Sequence, residues 1–465
     1  MPAASIAPRE PGRQIIAIAL WLIGFTAVNA QVVLMRELMV VFHGNELSLG
    51  LMLASWLVWT AAGSGLLGRI PVGRRRPERL VAVLELGVAL AFPLSIAAVR
   101  WSRQALQPVT GEVLGPGRML LVGLAVLAPF CALSGWLFAA ASRLRMQATQ
   151  EDTASASGRV YLLEAAGSAV GGVVASLVLI RWLGSFGIAW LVAGMNFVVA
   201  ARLALGRSWA PLLAAAVWGP GCIATQTLEN VSLNALWRGL RVIESRNSIY
   251  GNLTVVETEG SRTLYETGLA AGTAPDPAAA EEAVHYALLQ HPQPRSLLLI
   301  GGGWQGALLE ALKHPTLERV DYVELDPEIL KLAERHFADQ WLPARKDPRV
   351  RVHAMDGCLY VRRTGQRFDV IIVNLPEPET AQLNRFYTLE FFREAARRLT
   401  PDGVLSLRLR GAENYLSPEL ARLLGSIRAT LRSVFPCVVV LPGETVHFFA
   451  SSQPNVLVSD AEALY

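Results

Sequence analysis

A glycine loop between a strand and a helix, with an acid one strand further on, constrains this chain most. Leu297-Leu298-Leu299-Ile300 has the composition of a buried strand, and Gly301, Gly303 and Gly306 follow it at GxGxxG spacing. A helical pattern comes next, then a second strand over 319–325 with Glu324 at its C-terminal end. A carboxylate about 20 residues beyond such a loop can accept hydrogen bonds from two ribose hydroxyls, while the glycines let the backbone approach the ligand. The spacing alone is weak evidence. The strand before it, the helix after it and the acid beyond it turn it into a nucleotide-type site.

The same alternation continues to the C-terminus. Strands are expected at 296–300, 319–325, 350–354, 368–374, 403–409, 435–441 and 445–450, and helices near 305–313, 327–338, 385–399 and 417–433. That pattern specifies a doubly wound α/β sheet, whose ligands bind beyond the carboxyl ends of the strands. Asp356, Asn374 and Glu377 fall on that rim. Asp356-Gly357 reads as a plain turn or as an adenine-edge contact, and Asn374 to Pro378 as a rigid loop or a reaction-site loop. Tyr387 suits core packing and the site equally, and His285 and His291 read as structural. Upstream, 248–257 and 262–268 read as two strands of a small β region, followed by a helix starting near Glu281. The four cysteines, Cys131, Cys222, Cys358 and Cys437, form no CxxC pair, so neither a disulfide framework nor a metal site is expected.

The first half is of another kind. The mean hydropathy of +0.36 averages a greasy N-terminal half with an ordinary globular remainder. Apolar runs near 15–35, 46–68, 80–99, 119–142, 160–181, 186–204 and 208–225 are each about long enough to cross 30 Å of hydrocarbon, the last barely so. Ala27-Val28-Asn29-Ala30 lacks the spacing of a cleavage site, so the first run is expected to be a retained helix. Arginines at 69–79, at Arg143, Arg145 and Arg159, and at Arg202 and Arg207 mark inside loops and put the N-terminus inside. The net charge of +4 is therefore read as a topology signal, with no nucleic-acid partner. Seven crossings would export the glycine-loop domain. Trp218-Gly219-Pro220-Gly221 is expected to break the last run, which leaves six spans and a cytosolic domain. Glu85 and Glu164 lie within spans, as interfacial pairs or as a polar site between helices. Gly167 and Gly171 form GxxxG, a sign of close helix packing.

Several of these residues come in the order seen in the spermidine synthases, the polyamine aminopropyltransferases. They are Tyr250, Ile300 to Gly306, Val323 to Asp326, Asp347 to Val350, Asp356-Gly357 and Phe368 to Asn374. Over about 245–450 the chain resembles that family, and its layout is similar to bacterial membrane-fused spermidine synthase-like proteins. The stretches Ala381 to Tyr387 and Leu441 to Thr445 resemble that subgroup closely. The resemblance implies a polytopic α-helical membrane domain at 1–225 with six or seven spans, a small β domain and connecting helix at 226–290, a methyltransferase-like doubly wound α/β domain at 291–455, and a tail at 456–465. It implies decarboxylated S-adenosylmethionine or S-adenosylmethionine as co-substrate, no metal, and a polyamine or related amine as partner.

In this comparison Gly301, Gly303, Trp304, Gly306, Glu324, Asp356 and Gly357 match cofactor-side positions, with Glu324 on the ribose and Asp356 on the adenine. Tyr250 and Glu377 match substrate positions, and Asn374, Glu377 and Tyr387 the reaction site. Trp304 and Asn374 stand where the family has aspartates, Glu377 replaces a further aspartate, and Gly251 replaces a glutamine. Asn374 can orient an amine but is no useful base, and Trp304 offers a cation–π face in place of a charge. Weak or absent conventional spermidine synthase activity is therefore expected. The leading expectation is a multi-pass membrane-anchored aminopropyltransferase-like enzyme, for which a homo-oligomer is compatible. The alternatives are an S-adenosylmethionine-dependent methyltransferase on a membrane-side substrate, or a non-catalytic ligand-sensing domain fused to a transporter-like one.

Overall fold

The computed structural model describes residues 10–70, 77–106, 114–148, 153–205 and 210–458. Arg74, Arg75, Arg76 and Arg207, and the tail beyond 458, lie outside the described residues. The chain divides into two compact units, 1–254 with 267–269, and 255–266 with 270–465.

The first unit is a bundle of long helices: α1 (Glu10–Phe42), α2 (Glu46–Gly65), α3 (Pro77–Leu106), α4 (Pro116–Ala148), α5 (Thr153–Val174), α6 (Ser185–Leu205) and α7 (Ala210–Leu236). A π-helical turn, Ala175–Leu179, carries α5 on to Trp182. Among the described residues, six helices are long and apolar enough to cross a membrane, and α7 is not one of the six. Glycines set the closest approaches. A Cβ on Gly167 would lie 1.8 Å from the Trp21 carbonyl oxygen, and one on Gly24 would lie 2.0 Å from that of Glu164. Helices α1 and α5 therefore touch backbone to backbone, as small residues permit in a bilayer.

Two features of this unit depart from expectation. The break at Trp218 to Gly221 is absent, and α7 runs unbroken through Pro220. The neighbouring helix supplies the reason. The Trp190 indole N–H donates to the Trp218 carbonyl at 2.8 Å, and the Trp218 indole donates to the Trp190 carbonyl at 2.6 Å. Gly221 lies under the Trp190 ring, where a Cβ would collide. Residue 225, expected to end the helical domain, thus lies inside a helix. The second feature is a buried ion cluster. Arg100 donates from Nε and Nη2 to Glu37 at 2.8 and 2.7 Å, from Nη2 to Glu229 at 2.6 Å, and from Nη1 to the Ser232 hydroxyl at 2.7 Å. One guanidinium so ties α1, α3 and α7 through charge-assisted bonds.

Four short strands follow, in the order β1 (Arg241–Asn247), β2 (Asn252–Thr258), β3 (Ser261–Glu266) and β4 (Leu269–Ala274). The outer two were not apparent from the sequence. Glu259-Gly260 and Thr267-Gly268 have positive φ at both positions, the two-residue turns that suit the twist of a hairpin.

The second unit is built on a seven-stranded sheet. Its strands are β5 (Ser296–Ile300), β6 (Arg319–Glu324), β7 (Val350–Ala354), β8 (Phe368–Val373), β9 (Leu399–Arg410), β10 (Cys437–Leu441) and β11 (Thr445–Ser451), in spatial order β10-β11-β9-β8-β5-β6-β7. Pairings from β7 to β9 are parallel, and β11 runs antiparallel to both its neighbours. Leu297 to Ile300 are buried, as a central parallel strand covered on both faces requires. Helices α8 (Pro277–Leu289), α9 (Ala307–Leu312), α10 (Pro327–His336), α11 (Ala338–Lys346), α12 (Gly357–Arg363), α13 (Leu389–Arg398) and α14 (Pro418–Arg432) accompany it. The helix expected over 327–338 is α10, while α11 beyond it and α12 had no counterpart in the periodicity. Asp326, Asp356, Thr388 and Ser417 each accept a backbone N–H as helix N-caps, whereas the glycine loop enters α9 through Gly306 with no side-chain cap.

Candidate functional site

Strands β5 and β8 are neighbours, yet the chain moves from β5 through β6 to β7 on one side and from β8 to β9 on the other. The crevice of such a sheet opens where these directions part. Gly301 and Asn374 follow directly after the two strands. The Asn374 N–H donates to the Ile300 carbonyl at 2.9 Å, and the Gly301 N–H to that of Val323 at 2.9 Å. Gly302 has φ +62°, and a Cβ there would lie 2.4 Å from Asn374 Nδ2. Only glycine lets the loop and this amide share the space. Asn374 is 5% exposed, and its Nδ2 finds no acceptor among the described residues. A buried donor left unpaired costs about 1–3 kcal/mol, which a ligand acceptor would recover.

Glu324 ends β6 on the same rim and is buried. The Tyr322 hydroxyl donates to its Oε2 at 2.7 Å, and the Leu325 N–H to its Oε1 at 2.9 Å. Burial, reinforced by the charge of Glu266, pushes its carboxyl up to about 7. Glu266 is itself pushed up to about 7 by burial and then by Asp326. The charge of Glu266 is felt by Glu324, so the two carboxyls are near neighbours at this rim. Trp304 is arranged differently from the expected open cation–π face. It is 2% exposed, its ring packs on Phe337 at 4.6 Å, and Gly272 lies against its edge. The indole fills this space with core.

Asp356 caps α12 by accepting the Leu359 N–H at 2.8 Å, and it pairs with Arg385. Gly357 is buried where a Cβ would lie 2.7 Å from Ile300 Cγ2. Beyond Asn374, Glu377 accepts the Arg410 N–H at 3.1 Å. Tyr387, buried, donates its hydroxyl to the Pro376 carbonyl at 3.2 Å, so it holds this loop from beneath. Its phenol is raised well above the ordinary value by burial and by Glu377. A cavity of about 950 Å³ opens beside the loop, lined by Glu377, Asp276, Glu281, Glu282, Arg408 and Tyr286 among others. Glu282 also meets His447 at 3.1 Å, and burial lowers that imidazole's pKa. Tyr250 belongs to the first unit, half-exposed in the turn between β1 and β2. Arg36 Nη2 clamps that turn by donating to the Ser248 and Gly251 carbonyls at 2.7 and 2.8 Å.

The structure thus brings Gly301, Gly302, Asn374, Tyr322, Glu324 and Glu266 to one end of the sheet, with Glu377 three residues past Asn374. Glu266, Glu282 and Arg408 were missed from the sequence. Glu281, Glu282 and His285 had a usable signal, because their spacing puts polar groups on one helix face. Glu266 had none, since its burial depends on a hairpin fifty residues upstream of β6.

A profile for the spermine/spermidine synthase domain matches residues 277–458. A polyamine aminopropyltransferase of Pyrobaculum calidifontis is 34% identical over 178 residues, 37% of this chain and 61% of the relative. One from Pyrobaculum arsenaticum is 30% identical over 242 residues, 50% of this chain and 83% of the relative. The chain spans less than two thirds of the length of several such relatives, including 49% of one from Nitrosomonas europaea. A crystal structure of spermidine synthase in complex with the transition state analogue AdoDATO aligns with a TM-score of 0.41 and 27% identity, over 46% of this chain and 75% of that one.

Proposed function

The chain belongs to the polyamine aminopropyltransferase family, and from that premise we propose that its second unit moves an aminopropyl group onto an amine. The donor is decarboxylated S-adenosylmethionine and the acceptor a polyamine or related primary amine. The observation that carries this reading is the crevice itself. The unpaired Asn374 amide and the Glu324 carboxylate face one rim, beside a cavity with Glu377, Glu281, Glu282 and Asp276 in its walls. Glu324 accepts the ribose hydroxyls, displacing the Tyr322 hydroxyl as it does so. Asp356 attends the adenine side and exchanges its Arg385 contact. The carboxylates of the cavity hold the cationic acceptor, and Glu377 receives its proton.

In the step itself, the neutral amine's lone pair forms a C–N bond to the methylene next to the sulfonium. The C–S bond breaks towards sulfur, which leaves as the neutral thioether of methylthioadenosine, and the ammonium product sheds one proton. The protein's part is placement and charge, with Asn374 orienting groups that it cannot deprotonate. The six apolar helices anchor the enzyme in a membrane, with the second unit in the cytosol where nucleoside donors are made.

The test is release of methylthioadenosine by the full chain in lipid nanodiscs, given decarboxylated S-adenosylmethionine and putrescine. Release should be slow, should need both reactants, and should fall at least tenfold in kcat/KM in Glu377→Gln. Asn374→Asp should raise turnover by restoring a carboxylate. Methyl transfer from S-adenosylmethionine in place of this release would overturn the proposal.

A further inference from the structure

A second cavity, of about 450 Å³, lies within the helical unit between α1, α2, α4 and α5. One carboxylate, Glu164, lines it. Glu164 is ten residues past the start of its span at Ala154, about 15 Å along the helix axis and within about 6 Å of the span's midpoint, inside the hydrocarbon of a bilayer. An ionisable group at that depth is costly unless something uses it.

The other polar groups in the wall are the hydroxyls of Thr60, Ser64, Ser134 and Ser168 and the Gln31 amide. The Thr60 hydroxyl donates to the Trp56 carbonyl at 2.9 Å, and the Ser64 hydroxyl to that of Ala61 at 3.2 Å. Ser168 gives its proton to Glu164 at 3.0 Å. A hydroxyl has one proton, so these three oxygens can only accept from anything else in the cavity. Trp56 and Phe138 add aromatic surface to the same wall. One carboxylate, three acceptor hydroxyls and two aromatic rings, with a Gln31 amide that can offer its oxygen, select a ligand that is cationic, donates several hydrogen bonds and carries an apolar portion.

We propose that this cavity binds a primary alkylammonium ion, its –NH₃⁺ group on Glu164, Thr60 and Ser64 and its alkyl chain against Trp56 and Phe138. The assignment does not depend on the chemistry of the second unit. The test is calorimetric titration of the full chain in phosphatidylcholine nanodiscs with n-butylammonium chloride. Glu164→Gln should weaken one class of sites at least tenfold, and Thr60→Val about threefold or more. Glu377→Gln should leave that class unchanged. Tetramethylammonium, which has no N–H, should bind at least tenfold more weakly. Equal binding by wild type and Glu164→Gln would overturn the proposal. So would equal affinity for tetramethylammonium, or displacement of the amine by equimolar sodium, which would mark an inorganic cation site. Should Glu164→Gln fail to give a monodisperse protein, Thr60→Val decides: unchanged affinity there refutes the site.

Discussion

Glu324 pays for its position in stability. The unfolded chain ionises it near 4.5, whereas the folded protein holds the proton up to about 7. Below the first value both states are protonated and nothing is lost. As pH rises between the two, the unfolded state sheds its proton first and stability falls, and above about 7 the loss is complete. Glu324→Gln should therefore stabilise the ligand-free protein by about 1–3 kcal/mol at pH 8 and leave it unchanged at pH 4, checked by denaturant melts at both values. The same substitution should weaken methylthioadenosine by about 1.5–3 kcal/mol in calorimetry. In the wild type that affinity should rise with pH through 7, as the carboxylate forms. Unaltered stability at pH 8 would remove the case for a strained buried acid. The identity and position of Glu324 were readable in the sequence, because a strand end after a glycine loop has few fates. Its partners were not. Tyr322 could be read only as a strand residue, and the meeting of Asn374 with Gly302 depends on which strands become neighbours.

Elements were legible where one face or both decide the pattern. The strands of the second unit fall within a few residues of their expected places because buried parallel strands are continuously apolar. The long helices of the first unit were clear for the same reason. The failures share a cause, which is that packing overrode a local signal. Pro220 with two flanking glycines reads as a stop, but reciprocal indole bonds between Trp190 and Trp218 keep α7 helical across it. Trp304 reads as a ligand-side residue by position, but its size commits it to Phe337. Packing also makes the α1–α5 contact testable. Gly167→Val must push α5 away from the Trp21 carbonyl, at a cost of about 1–3 kcal/mol, visible as a lower melting temperature in detergent. Gly158→Val, on the same helix with open space around it, should change little.

For the molecule as a whole, six helices are long and apolar enough to cross a membrane among the described residues, and the proposed cytosolic placement of the second unit predicts an even number of crossings. A single cysteine at exposed Glu413, in a background with the four native cysteines replaced, should resist a membrane-impermeant maleimide in intact cells and react once the cells are opened. Labelling of intact cells would count against the proposed cytosolic reaction. The chain passes from one unit to the other three times, after residues 254, 266 and 269. A cut at the first of these crossings falls inside β2 and leaves residues 267–269 of the first unit on the fragment that carries the second. No single cut divides the chain cleanly into its two units, because whichever crossing is cut, residues of one unit stay on the other's fragment.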